Sequence, residues 1–243
     1  MRQLRCSRAL AFTLVELLVV IGIIAVLVSI LLPSLNKARQ QARTVACLSN
    51  LHQIGIAIQM YANDNRQFLP ASKQVTGGAA HWKFEIAPYI KKAPDYVAMM
   101  TKDEYWGAKG PFGCPDWAGV SANATCQAQL NAHPGYFGGL GWSAYISVDG
   151  ETSREKITRV RKNGQESALV GDVVDISQWD AGATYTDYIY LYSIGAYPVD
   201  KRIARRHKKG LNILWADMHA DNQSQAFMAA GKNGVTGYYY NIH

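Results

Sequence analysis

FTLVELLVVIGIIAVLVSILL, residues 12–32, decides how this chain is built. Only Thr13, Glu16, Gly22 and Ser29 interrupt its apolar character. As a helix rising 1.5 Å per residue it is about 31 Å long, which matches a hydrocarbon core of roughly 30 Å. A cleaved secretory signal has a shorter apolar core with small residues behind it. Here the small stretch Ala9-Leu10-Ala11 comes before the core, and a helical pattern continues after it. A plain membrane anchor has no use for Glu16, because a carboxylate at mid-depth costs roughly 2.5–3.5 kcal/mol and less near the interface. Such a residue implies a positive partner at similar depth. Cleavage after Ala11 creates one, the α-amino group of Phe12.

Beyond Pro33, apolar and small residues recur at Leu35, Ala38, Ala42, Val45, Leu48, Leu51, Ile54, Ile58 and Tyr61, which trace one helical face. The spacing predicts a helix from Phe12 to about Ala62, kinked or loosened at Pro33, and Asn63-Asp64-Asn65 reads as its stop. Its second half wants a globular partner within the chain. Its first half needs lipid or neighbouring subunits. The remainder is rich in glycine and tyrosine and reads as β, with strands expected at 168–174, 188–192 and 211–216. The fold class expected is α+β, a long N-terminal helix packed on a small antiparallel sheet. The organisation expected is a basic leader at 1–11, a transmembrane segment at 12–33, an amphipathic continuation at 34–64 and a β-rich head at 65–243.

The run from Ala11 to Ile21 resembles the cleavage and methylation signal of type IV prepilins and type II secretion pseudopilins. The resemblance implies cleavage between Ala11 and Phe12, methylation of the new amino terminus, and pairing of Glu16 with the Phe12 amine of a neighbouring subunit during assembly. That family usually has glycine where this chain has Ala11. The stretches 47–55 and 61–65, Trp82 with Pro88-Tyr89-Ile90, Cys114-Pro115, Lys156-Ile157 and Gly171-Asp172 are similar to prepilin-like proteins that end in an H-x9-DG segment. His207 and Asp217 occupy its ends, with Met218 in the glycine position. The resemblance implies a structural subunit with a pilin-like fold, and not an enzyme. Implied partners are other pilin-like subunits, a prepilin peptidase and methyltransferase, the inner-membrane secretion or pilus machinery, and the lipid bilayer. The implied location is the bacterial inner membrane, single-pass, with the head periplasmic or extracellular after assembly.

The formal net charge is +7, and loss of Arg2, Arg5 and Arg8 with the leader would lower it by three, to +4. An excess that small does not argue for nucleic acid. Those arginines are nearly balanced across the span by Lys37, Arg39 and Arg43, so the motif, not the charge bias, sets the expected orientation.

Three constellations bear on chemistry. Asp217, His219 and Asp221 alternate along the last expected strand, and with His207 they offer two imidazoles and two carboxylates to a divalent metal such as calcium. The bland alternative is a solvated edge on which His207 bonds Asp217; the expected cofactor is otherwise none. Cys114 and Cys126 are close enough in sequence to form a disulfide outside the cytoplasm. Lys201, Arg202, Arg205, Arg206, Lys208 and Lys209 form a candidate anion patch, which keeps open a membrane-anchored protein that binds a polysaccharide or another anion. A metal-dependent enzyme built on His207, Asp217 and His219 ranks below that reading.

Overall fold

The computed structural model describes residues 14–71, 82–90, 110–116, 140–143, 154–162, 168–172, 190–191, 207 and 210–224. The chain divides into two compact units, Met1–Gln41 and Ala42–His243. Helix α1 (Leu14–Asp64) begins in the first. The second holds its later turns, α2 (Trp82–Ile90), β1 (Leu140–Ser143), α3 (Ile157–Lys162), β2 (Ala168–Asp172), β3 (Tyr190–Leu191), β4 (Gly210–Trp215) and β5 (Ala220–Ser224).

In the first unit α1 carries its apolar residues outward. Leu14 is 73% exposed, and Ile30, Leu31 and Leu35 are exposed in the same way. The helix is long and apolar enough to cross a membrane, and its apolar window buries nothing. It continues through Pro33. The ring withholds one N–H from the ladder. Nearby, the Ser29 and Ser34 hydroxyls donate to the Val26 and Leu31 carbonyls at 2.7 and 2.8 Å.

In the second unit the later turns of α1 bury Thr44, Cys47, Leu51, Ile54, Gly55, Ala57, Ile58, Tyr61 and Ala62. From Leu51 onward this is the face the periodicity predicts. One turn earlier it is shifted, with Thr44 and Cys47 inward and Val45 outward. Burying those polar side chains in place of a valine needs a reason, and the site below supplies it. Gly55 lets the helix approach the sheet, since a Cβ there would lie 2.9 Å from Leu214 Cδ1.

The sheet has the order β3-β1-β2-β4-β5. The pairs β1–β2, β2–β4 and β4–β5 are antiparallel, as expected. The short β3, which is the described part of the predicted 188–192 strand, pairs parallel with β1 at the other edge. Every residue of β2 and β4 is buried. Trp82 and Trp142 pack at a tilt with 5.5 Å between centroids, and Phe112 meets Trp82 edge-on at 6.0 Å. Helix α2 is tied to the end of α1 by Tyr89 Oη donating to Asp64 Oδ2 at 2.9 Å, and to the segment that follows α1 by Ala71 N donating to Glu85 Oε2 at 3.0 Å.

Asp217, His219 and Asp221 do not lie along one strand. The chain reverses between β4 and β5, and Met218 takes a left-handed backbone with φ of 73°. A glycine adopts that conformation without cost, so Met218 occupies a position whose geometry suits the glycine of the H-x9-DG pattern.

Two outcomes follow from this packing. Gly55→Val forces a branched side chain onto Leu214 and lowers stability by about 1–3 kcal/mol, read by denaturant unfolding of the detergent-solubilised chain. Lys83 is buried, with its ammonium 5.6 Å from the Trp82 ring, and burial lowers its pKa to about 7. Between there and the ordinary 10.5 the unfolded chain binds the extra proton, so this residue's destabilising contribution is full at and below pH 7 and fades as pH rises. Lys83→Met therefore stabilises most near pH 7, and melting curves across pH should show the gain shrinking toward pH 10.

Candidate functional site

Four polar side chains of the second unit meet inside the core. Cys47 comes from α1, Cys114 from the 110–116 turn, Asp172 from the last residue of β2, and His207 from just before β4. All four are fully buried, and their ligand atoms lie within 4.8 Å of one another.

Each is held by its own element. Arg43, Cys47 and Asn50 share a face of α1 through steps of four and three. Arg43 Nη1 reaches Asp116 Oδ1 at 3.2 Å and Asn50 Nδ2 donates to the Gly113 carbonyl at 2.9 Å, which clamps the turn that carries Cys114. The register pairs Gly171 with Ile213, so Asp172 falls beside Asn212 and accepts its backbone N–H at 2.7 Å. His207 and Gly210 exchange backbone hydrogen bonds at 2.8 and 3.3 Å. Gly210 is needed there because a Cβ would collide with the Gln223 carbonyl at 2.4 Å.

The two ring nitrogens of His207 face different surroundings. Nε2 looks into the cluster, 3.2 Å from Cys114 Sγ and 3.4 Å from Asp172 Oδ2. Nδ1 looks away from it, 3.2 Å from Thr44 Oγ1 and 3.3 Å from Asp116 Oδ2. That Asp116 oxygen is buried and makes no hydrogen bond among the described residues, although it is close enough for an ion pair. The Cys47 thiol points at Asp172 Oδ1 from 3.7 Å. Burial opposes charge on His207, but Asp172 and Cys114 outweigh it and push the imidazole up to about 10. Contact with Cys114, burial and the Asp172 charge hold the Cys47 thiol well above its usual range. The cluster thus sets an imidazole against a buried carboxylate, with two thiols beside them.

This geometry corrects several expectations. His207 does not join Asp217, His219 and Asp221. His219 instead bonds Asp217 through its ring and backbone on the partly exposed β4–β5 turn, and lies 3.9 Å from Asp221 Oδ2 in β5. Nor does His207 pin the hairpin through Asp217; its partners are Thr44, Cys114, Asp116 and Asp172. The Cys114 sulfur is buried 3.2 Å from His207 Nε2, and Cys126, its expected disulfide partner, lies outside the described residues. The expectation of a chain that is not an enzyme is also overturned. Two thiols, a carboxylate and an imidazole converging in a core form a candidate metal-binding or catalytic site. The divalent-metal possibility gains a concrete donor set, in which only His207 was foreseen. Ala11, Phe12 and the six basic residues at 201–209 lie outside the described residues, while Glu16 lies in the first turn of α1.

The sequence reading left Cys47 and Asp172 without a role. A signal was present, since Cys47, Cys114-Pro115, Gly171-Asp172 and His207 each belong to a separate short motif. Metal-ligating residue types at all four places were the clue, and only the fold shows that they meet.

Residues 6–32 match the family described as "Prokaryotic N-terminal methylation motif", and residues 36–111 match the family described as "Protein of unknown function (DUF1559)". The chain is 40% identical over 60 residues to "Type IV wide pilus major component PilA4" of Thermus thermophilus, a match covering 25% of this chain and 46% of that protein. The chain thus spans less than half the length of the curated relative it matches. No solved structure matches. The chain carries a prepilin-type N-terminal motif and is partly similar to a type IV pilin.

In chelator-treated protein, Asp172→Ala strips the β4 amide and the His207 ring of their acceptor. Chemical denaturation should show a loss of about 3–5 kcal/mol, against less than about 0.5 kcal/mol for His219→Ala on the exposed turn.

Proposed function

We propose that this chain is a pilin-like subunit that assembles through its N-terminal helix into a pilus-like or type II secretion filament at the bacterial inner membrane. One coincidence carries the reading. The methylation motif at 6–32 overlies a helix whose apolar side chains are exposed from Leu14 to Leu35. Such a surface must be covered by lipid before assembly and by other helices after it.

In this reading residues 1–11 are a leader removed by a prepilin peptidase, and 12–33 span the bilayer. Residues 34–64 continue the helix, and 65–243 form a head on the far side of the membrane. Cleavage places the Phe12 amine, once methylated, at the depth of Glu16. A carboxylate in hydrocarbon favours pairing with an amine on a neighbouring subunit, and that pairing fixes the axial register between subunits. The chain's similarity over 60 residues to a wide-pilus major component supports this reading.

The test is N-terminal sequencing and intact mass of the protein recovered from its native membrane, beside a Glu16→Ala variant. A methylated Phe12 is expected in both. The variant should enter the sheared filament fraction about tenfold less or worse, as loss of an ion pair worth ~1.4 kcal/mol or more implies. Recovery of an intact Met1 in the wild type would instead leave a static anchor.

A further inference from the structure

We propose that Cys47, Cys114, Asp172 and His207 bind one zinc ion that locks α1, the 110–116 turn and the sheet together. A tetrahedral zinc site, with ligands about 2.0–2.3 Å from the metal, sets neighbouring donor atoms roughly 3.3–3.8 Å apart. Two contacts of the cluster are of that length, His207 Nε2 to Asp172 Oδ2 at 3.4 Å and Cys47 Sγ to Asp172 Oδ1 at 3.7 Å, and Cys114 Sγ to His207 Nε2 is just shorter at 3.2 Å. Calcium takes six or more oxygens, and two thiols with one carboxylate do not provide them. Two sulfurs, one nitrogen and one oxygen select a borderline-soft ion that accepts four ligands.

A second observation is independent of the donor set. A metal-bound histidine commonly donates its other N–H to a carboxylate behind it, which fixes the tautomer and the ring plane. Here Nε2 faces the donors, and Nδ1 faces Asp116 Oδ2, a buried oxygen that makes no hydrogen bond among the described residues. Asp116 is itself oriented by Arg43, and Asp172 by the Asn212 amide. Both outer partners are therefore in place. On loading, the two thiols give their protons to solvent and the imidazole offers the Nε2 lone pair. All four positions are filled by protein and fully buried, which is the form of a structural site. The assignment is independent of N-terminal processing, since all its residues lie in Ala42–His243.

The experiment uses the full chain, purified in mild detergent without chelator. Elemental analysis should find one zinc per chain. Cobalt exchanged into the site should give tetrahedral d–d bands and sulfur-to-cobalt charge transfer. Chelation should lower the Tm by roughly 5–10 °C, reversed by added zinc. Cys114→Ser should lose the charge-transfer intensity from one sulfur and most of the zinc. Asp116→Asn keeps all four ligands, so it should remain folded by circular dichroism while zinc affinity falls about 10–100-fold; it decides the matter if Cys114→Ser does not fold. A folded wild type that takes up neither zinc nor cobalt overturns the proposal. So does recovery of Cys47 and Cys114 as a disulfide, or a Cys114→Ser chain that binds zinc as tightly as the wild type.

Discussion

Asp172 is the group on which the second unit turns. Its carboxylate is fully buried, a state that is costly without compensation. Compensation comes from three directions: the Asn212 amide of β4, the imidazole of His207 and the thiol of Cys47. Each belongs to a different segment. The charge can be satisfied only when the helix, the strand pair and the approach to β4 are all in register, so a local electrostatic demand specifies a global arrangement. Asn212 extends the demand further. Its side chain donates to the Thr44 carbonyl at 3.4 Å and accepts from Asn222 Nδ2 at 2.8 Å, which links α1 through β4 to β5.

The two units solve different physical problems with one helix. In the first unit residues 17–32 are almost uniformly apolar and their large side chains are exposed, which suits a surface meant for lipid or for copies of itself. In Ala42–His243 the same helix carries one apolar stripe, and the sheet supplies its partner. In the proposed filament subunit, the head needs a fold that does not depend on how the apolar half is covered. A polar centre that ties helix to sheet inside that unit serves this need.

Much of the fold was legible in the sequence. Hydrophobic length gave the first half of α1, three- and four-residue steps gave the second, and β-branched or aromatic runs gave β2 and β4. What escaped detection was short or interrupted. β1 is four residues long and includes Gly141, and β5 is Ala-Asp-Asn-Gln-Ser, a polar edge with no apolar alternation to announce it. The helix stripe was misread at one turn because Val45 is greasier than Thr44, whereas the structure buries Thr44 and Cys47 beside His207. The site was legible only in pieces. Sequence proximity grouped His207 with Asp217, and Cys114 with Cys126; the fold pairs His207 and Cys114 with each other. Local spacing is a poor guide to a cluster whose members come from four segments.

The Cys47, Cys114, Asp172 and His207 side chains are tens of residues apart along the chain, and each is positioned by its own helix, turn or strand end. Between the elements that position them run long connecting stretches of chain. Loop-closure cost grows slowly with length, so those segments can lengthen or shorten at little expense to the centre they enclose. The architecture thus separates what must stay constant from what can diversify. A fixed hub of four side chains can carry outer loops of very different size and chemistry, and a head built this way can present new surfaces without redesigning its core.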